Sequence, residues 1–364
     1  MPPTKSAIQA WEFYRTFTRS VVHVHERRGE DAMSTNSTKP RDDATGRSAP
    51  DSRDPFTRLG WQGIVAQVPE SWNLAVVSGD RASGYFRADA PERPRFEVKW
   101  WKPTQSVSLN QVLERYVREL QKKSKRSQPR IEAQVGVRLV SRRKMRKPEM
   151  LGFTWMGEQT AWGLIWRCDE CDRVVMAQVL GASDENIKSL AERVISSMED
   201  HSSDGWDPWG AYGFLYEIPD DFALDTFRLV TGKLEFRFTR GRLKEEFISV
   251  CRWGMADVLL KEVALEAWLA SSFPERYKDL RMDFTTAPVK GHSGAALLGQ
   301  PRSVRKRIQE RAQSVVRRRS PARFIANAWH CAESNKIFSA ECNVRPDDDY
   351  LLHDVTESII CHEE

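Results

Sequence analysis

One stretch of this chain occurs twice, and that duplication constrains its fold more than any other feature. Gly163–Gly181 reads GLIWRCDECDRVVMAQVLG, and Ala326–Val344 reads ANAWHCAESNKIFSAECNV. Each is a β-branched or bulky arm, a short acidic tip and a second such arm, the pattern of a hairpin on a half-buried sheet. The surrounding chain repeats with it. Gly63–Pro69 matches Gly213–Pro219 at an offset of 150, Trp72 and Leu74 match Phe222 and Leu224, Trp101 matches Trp253, and Trp166 and Cys168 match Trp329 and Cys331. An echo kept in order over most of a domain marks an internal repeat.

The first copy reads as strands at Trp61–Val68, Trp72–Ser78, Gly84–Ala88 and Arg95–Trp101. A helix follows, with Leu109, Val112, Leu113, Tyr116, Val117 and Leu120 as its stripe and Ser108 as its cap. Val135–Val140 and Met150–Met156 return to strand character and lead into the hairpin. Ile187, Leu190, Ala191, Val194, Ile195 and Met198 mark a closing helix capped by Ser183 or Asp184. In the second copy Phe236–Phe238 and Phe247–Trp253 are strands. Val258–Phe273 is the mid-chain helix, and Leu351, Leu352, Val355 and Ile359 form the last, with Asp347–Asp349 at its cap and first turn. The chain therefore reads as α+β: two tandem antiparallel-sheet domains flanked by helices, each β-β-β-β-α-β-β-β-α. Residues 1–54 form a tail expected to be disordered, 55–202 the first repeat, 203–208 a polar linker and 209–364 the second repeat.

This order resembles the Mog1/PsbP-like domain. Gly63–Pro69, Leu109–Leu120 and Gly163–Met198 carry the resemblance, with Gly213–Pro219, Val258–Phe273 and Trp329–Ile359 in the second copy. Members of that superfamily mostly bind or scaffold other macromolecules, so the resemblance implies a non-enzymatic role. Fold alone does not set function, and no residues are carried over as a site.

Ser34–Asp54 holds almost nothing apolar and cannot offset the entropy of ordering. Met33 reads as an alternative start. His23 and His25 in the tail read as solvated side chains. No run approaches the roughly 18 apolar residues that span a bilayer, and Ala7–Val24, interrupted by charged and polar residues, is not expected to act as a secretory h-region. Six cysteines in 364 residues do not make a disulfide scaffold, so the chain suits a reducing compartment such as the cytoplasm.

The net charge of +5 is mild, but its distribution is uneven. Lys122, Lys123, Lys125 and Arg126, then Arg142, Arg143 and Lys144, form basic segments between the mid-domain helix and the hairpin. Arg305, Lys306, Arg307, Arg317, Arg318 and Arg319 fall in the equivalent slot of the second copy. Doubled basic segments suit a polyanion such as RNA or DNA, whereas single charge runs are usually solvated faces.

Trp100 and Trp101 are adjacent, so one leaves the core face. With Lys99 and Lys102 beside it, that side chain could stack on a base; burial under the helix is the simpler expectation.

The late group Cys331, Cys342, Cys361 and His362, with His330 nearby, is a candidate zinc site, against core thiols as the bland alternative. The first copy has Cys168 and Cys171 at its tip, but Ser334 stands opposite Cys171, so a shared metal centre is not written into the repeat. Walker, zincin and nucleophile-elbow motifs are absent. Gly291-His-Ser-Gly294 superficially resembles a nucleophile turn but lies in a loop.

The chain is thus expected to be a macromolecular binding or scaffold protein needing no cofactor. A zinc- or thiol-dependent protein, a protein–protein module without a polyanion role and an enzyme of another class are the alternatives.

Overall fold

The computed structural model describes residues 55–123, 130–141, 145, 147, 149–272, 278–303 and 320–362. The expected disordered tail, residues 1–54, lies outside them. The chain divides into two compact units: 55–57 with Ala66–Asp200, and Arg58–Val65 with His201–Glu364. The first 54 and last two residues within those bounds are not described.

Each unit contains a seven-stranded, wholly antiparallel sheet. In the first unit the strands are β3 (Asn73–Gly79), β4 (Ser83–Ala90), β5 (Arg93–Trp101), β6 (Glu132–Val135), β7 (Glu149–Met156), β8 (Gln159–Arg167) and β9 (Val174–Ala182), in the order β3-β4-β5-β9-β8-β7-β6. In the second they are β12 (Ala223–Val230), β13 (Lys233–Arg240), β14 (Glu246–Gly254), β15 (Leu280–Thr286), β16 (Ser293–Pro301), β17 (Arg323–Cys331) and β18 (Lys336–Val344). Their order, β12-β13-β14-β18-β17-β16-β15, is the same topology. The α+β class and the tandem repeat stand.

The duplication reaches backbone detail. Both edge strands carry a bulge at the same place, between Leu74 and Val76 and between Leu224 and Thr226. In the first unit Arg87, Glu97, Gln178 and Gly163 form one row across the sheet. Arg237, Ser249, Glu341 and Ala326 form that row in the second.

The expected strand Trp61–Val68 is a hairpin of β1 (Phe56–Trp61) and β2 (Ile64–Pro69). Gln62 and Gly63 both take positive φ, 55° and 77°, which makes a two-residue turn whose twist suits paired strands. Tyr212 and Gly213 (φ 54° and 68°) make the same turn between β10 (Trp206–Ala211) and β11 (Phe214–Pro219). These four strands form a small sheet, β11-β10-β1-β2. Among the described residues the first repeat thus runs five strands, helix, four strands, helix, and the second has two short helices in place of the first helix.

The helix α1 (Leu109–Lys123) buries Leu109, Leu113, Tyr116 and Leu120 against Phe153, Ile165, Val174 and Met176 of its sheet. Burying each large apolar side chain contributes roughly 1.5–3 kcal/mol. Ser108 caps it: its Oγ accepts from the Gln111 N–H at 3.4 Å. The strand expected at Val135–Val140 stops at Val135, because Gly136 turns to φ 82° and donates to the Gly152 carbonyl. The closing helix α2 (Lys188–Ser196) has Ile187 at its cap position with no side-chain cap, not Ser183 or Asp184. The nearby Glu185 carboxylate instead accepts from the Ala182 N–H at 3.0 Å and pairs with Arg95 at 2.8 Å.

In the second unit the single helix expected from Val258 is two short ones, α3 (Ala256–Leu259) and α4 (Leu265–Ser272). Their apolar side chains do not keep to one face: Val258 and Val263 are exposed while Leu269 is buried. The end of the expected helix, Phe273, lies outside the described residues. Asp347 and Asp348 lie in a 3-10 turn and Asp349 precedes the last helix, α5 (Tyr350–Ser358), without capping it. Asp348 and Asp349 pair instead with Arg240 and Arg323. Among the described residues, no helix is long and apolar enough to cross a membrane.

Candidate functional site

The most chemically loaded place among the described residues is one end of the second unit's sheet. Three turns meet there. The β12–β13 turn at Gly232 accepts from the Gly254 N–H at 3.0 Å. The β17–β18 turn supplies Asn335, whose carbonyl accepts from the Ala256 N–H at 3.1 Å and whose Oδ1 accepts from the Asp257 N–H at 2.9 Å. Between them Met255 starts α3 with φ 58°.

Cys331, the last residue of β17, points into this end. Its sulfur lies 3.4 Å from Nδ1 of His362, beyond the C-terminus of α5. Cys361 lies beside it, with Sγ 3.3 Å from His362 Nδ1 and 3.4 Å from His292 Nε2. His292 arrives on a tight turn: Lys290 and Gly291 take φ 51° and 77°, and Val289 and His292 exchange backbone hydrogen bonds. Lys290 fastens that turn to α5 by donating to the Glu357 carbonyl at 2.6 Å. The ligand atoms of His292, Cys331, Cys361 and His362 all lie within 4.8 Å of one another. Both cysteines are buried and both histidines half-buried. Burial, then the neighbouring Cys331, pushes the Cys361 thiol up, while Trp329 and Lys290 pull it back. The Cys331 thiol donates to Glu333 at 3.3 Å, which helps hold that carboxylate low after its own backbone N–H.

The sequence named three of these four residues. Cys342 is not with them: it pairs with Ile325 and Ile248 in mid-sheet, and burial raises its thiol. Cys331 pairs with Lys336, six residues from Cys342 along β18, about 20 Å at strand spacing. His292 was missed because its tetrapeptide read only as a loop, with no strand register to place it. The signal that finds it is register, since Ser293 faces His330 and so the residue before it comes up beside Cys331. His330 itself, next to Cys331, takes no part in the group, as neighbouring strand residues face opposite sides.

The same end of the sheet carries exposed apolar side chains on the turns around Gly232 and Met255. Val230, Met255 and Val258 are 50%, 58% and 64% exposed. A Cβ at Gly232 would lie 4.0 Å from Met255 Cε, which places the Met255 side chain over that turn.

The first unit holds a different arrangement at the matching corner. Lys147 reaches Oδ1 of Asp200 at 2.7 Å and Sγ of Cys168 at 3.4 Å, and the Trp166 indole donates to the other oxygen of Asp200 at 2.9 Å. Burial opposes the Lys147 charge, but the hydrogen bond and charge of Asp200 outweigh it and hold the ammonium above its ordinary range.

Of the basic residues, Lys122 lies exposed on the last turns of α1 and pairs with Glu119 at 2.9 Å, and Lys123 is the last residue of that helix. Lys125, Arg126, Arg142, Arg143, Lys144, Arg305, Lys306, Arg307, Arg317, Arg318 and Arg319 lie outside the described residues. Trp100 is buried, its indole donating to the Asp80 carbonyl at 2.9 Å, and Trp101 packs against the core beneath α1. Neither is an outward stacking platform.

No family model matches this chain, and no curated protein does. The comparisons do not confirm the Mog1/PsbP-like resemblance, and the element order on which it rested has an extra strand on each side of the mid-chain helix. Solved structures that the fold is similar to include one described as the crystal structure of the Tle4-Tli4 complex, at 9% identity, covering 84% of this chain and 96% of that one with a TM-score of 0.34. Another is the apo immunity protein TplEi of the type VI secretion system from Pseudomonas aeruginosa, at 10% identity, covering 84% and 95%, also with a TM-score of 0.34. Likenesses this remote transfer nothing about function.

Proposed function

We propose that this is a non-enzymatic binding or scaffold protein whose partner is another protein, docked on the turn end of the second unit's sheet. The observation that carries the reading is the rim of Val230, Met255 and Val258, three large apolar side chains at least half exposed on adjoining turns. Single exposed apolar residues are ordinary, but contiguous ones mark interaction surfaces. The backbone adds weight. A left-handed conformation costs a non-glycine residue roughly 1–2 kcal/mol, and stability alone favours glycine at Met255. A long, adaptable thioether there suits a contact surface.

The test places a photo-crosslinking residue at Val258 in the full chain, with the exposed Glu92 as control site, in lysate of its own cells. The expected result is a discrete protein adduct from position 258, absent from position 92 and diminished by Met255→Gly. An adduct of twice the chain's mass identifies the protein partner as a second copy. Equal adducts from both sites, no adduct, or an adduct with nucleic acid overturns the reading. The last would return attention to the basic segments.

A further inference from the structure

We propose that His292, Cys331, Cys361 and His362 bind one zinc ion in a closed tetrahedral site, which fastens the C-terminal end of the chain to the hairpin tips of the second unit's sheet.

The argument begins with distances. A tetrahedral zinc ion sits about 2.3 Å from sulfur and 2.0–2.1 Å from imidazole nitrogen. Those bonds, opened to the tetrahedral angle, place sulfur and nitrogen ligands about 3.5 Å apart. The three sulfur–nitrogen separations here are 3.4, 3.4 and 3.3 Å, and every remaining pair lies within 4.8 Å. Hydrogen bonding can hold a thiol against one imidazole. It does not require two sulfurs and two ring nitrogens from three separate chain segments to converge on one point.

The ligand set is chemically matched. Two thiolates and two imidazoles suit zinc, and two thiolates balance its charge. Four protein ligands leave no open position, so the site is structural. The orientation of His292 fits too: Nε2 faces the group, and Nδ1 lies 3.6 Å from a carboxylate oxygen of Glu333. Carboxylates in that position orient metal-bound imidazoles. On metal binding Cys331 loses the proton it now shares with Glu333, which leaves that carboxylate to accept from His292.

The first unit supplies an independent comparison. Trp166 and Trp329 are matching residues of the repeat, as are Cys168 and Cys331. The Asp200 carboxylate lies within 4.8 Å of the Cys168 sulfur, and the Cys361 sulfur within 4.8 Å of the Cys331 sulfur. Asp200 and Cys361 thus occupy matching corners. The first unit satisfies its corner with a tethered cation, the Lys147 ammonium lying on Asp200 and Cys168. Cys171 joins Cys168 and Asp200 there, but the ammonium already lies on that carboxylate and thiol; in the second unit two imidazoles and a second thiol gather on Cys331, a set that calls for a free cation.

The test uses the full chain, purified gently under reducing conditions, with zinc measured by mass spectrometry. About one zinc per chain is expected. Stripped protein titrated with cobalt(II) should reach the same stoichiometry and develop the intense visible absorption of tetrahedral thiolate-ligated cobalt. Cys361→Ser and His292→Ala should lower affinity at least tenfold. Cys342→Ser and Cys168→Ser should leave both stoichiometry and spectrum unchanged. Wild-type protein that carries no zinc and gives no tetrahedral cobalt spectrum overturns the proposal, without reliance on any variant. So does a spectrum lost in Cys168→Ser but retained in Cys361→Ser, or recovery of Cys331 and Cys361 as a disulfide.

Discussion

Gln178 donates from Nε2 to Oε2 of Glu97 at 2.7 Å, and at the matching positions of the second unit stand Glu341 and Ser249. The buried carboxylate has moved one strand across the sheet while the arginine of the row, Arg87 or Arg237, has stayed. Around Glu97 the network is fully bonded. Tyr85 donates to its other oxygen at 2.9 Å, and Tyr116 and Trp155 both donate to Gln178 Oε1. Burial raises the Glu97 carboxyl, with the hydrogen bonds from Gln178 and Tyr85 opposing.

Gln178→Glu puts a second carboxylate against Glu97 in a site where both positions are buried. Like charges this close cannot both ionise, and an uncompensated buried charge costs about 3–5 kcal/mol. The single variant is expected to lose stability of that order at neutral pH and to regain part of it in acid. Adding Glu97→Ser recreates the arrangement of the second unit and should restore most of the loss. Urea midpoints of the two variants at two pH values check this.

Lys99 is buried, and burial lowers its ammonium to about 6 even though Glu97 pulls it upward. Its folded pKa thus lies below its unfolded value of 10.5. Between those values the unfolded chain holds a proton that the folded chain lacks, so stability rises with pH across that window, by at most about 1.4 kcal/mol per unit. Glu97 contributes the opposite slope, because a raised carboxyl holds its proton in the folded state above pH 4.5. Lys99→Met should raise the unfolding midpoint at neutral pH and remove the rise toward alkaline pH. A midpoint–pH curve unchanged by the substitution would contradict this assignment.

Gly163 and Phe153 face each other across β7 and β8, and their counterparts are Ala326 and Leu297. A Cβ at Gly163 would lie 2.2 Å from Phe153 Cζ, so the larger ring is matched to the missing side chain. Gly163→Ala should cost about 1–3 kcal/mol through overpacking, and Phe153→Leu should lose stability through a cavity. The double variant should lose less than the sum, with a coupling of about 0.5–3 kcal/mol. Denaturant unfolding of the four proteins of the cycle measures it.

The sheets were legible because strand alternation and the duplication reinforce each other. Each hairpin arm could be checked against its copy, down to the match of Trp166 with Trp329. The first hairpin was not legible, because Gly63 is the single turn signal in Trp61–Val68 and its turn partner Gln62 sits left-handed without being glycine. Three of four ligands in the Cys/His group were legible from residue type. Cys342 entered because distance along a strand is invisible until register is known. His292 was missed for the same reason, since the chain between β16 and β17 is long enough to allow several pairings.

Met255→Gly separates stability from binding at the turn end. The substitution relieves the left-handed strain, worth about 1–2 kcal/mol, and adds chain entropy to the unfolded state, worth about 0.4–1 kcal/mol in the other direction. The net expectation is an unfolding midpoint equal to or slightly above that of the parent. Its exposed side chain is removed in the same step, so crosslinking from position 258 should fall. Val258→Ser, a surface change expected to stay within about 0.5 kcal/mol, should also weaken partner capture. If Met255→Gly instead lowers stability by more than about 1 kcal/mol, the thioether is held there by its packing over Gly232, and the rim is part of the fold rather than a surface kept for a partner.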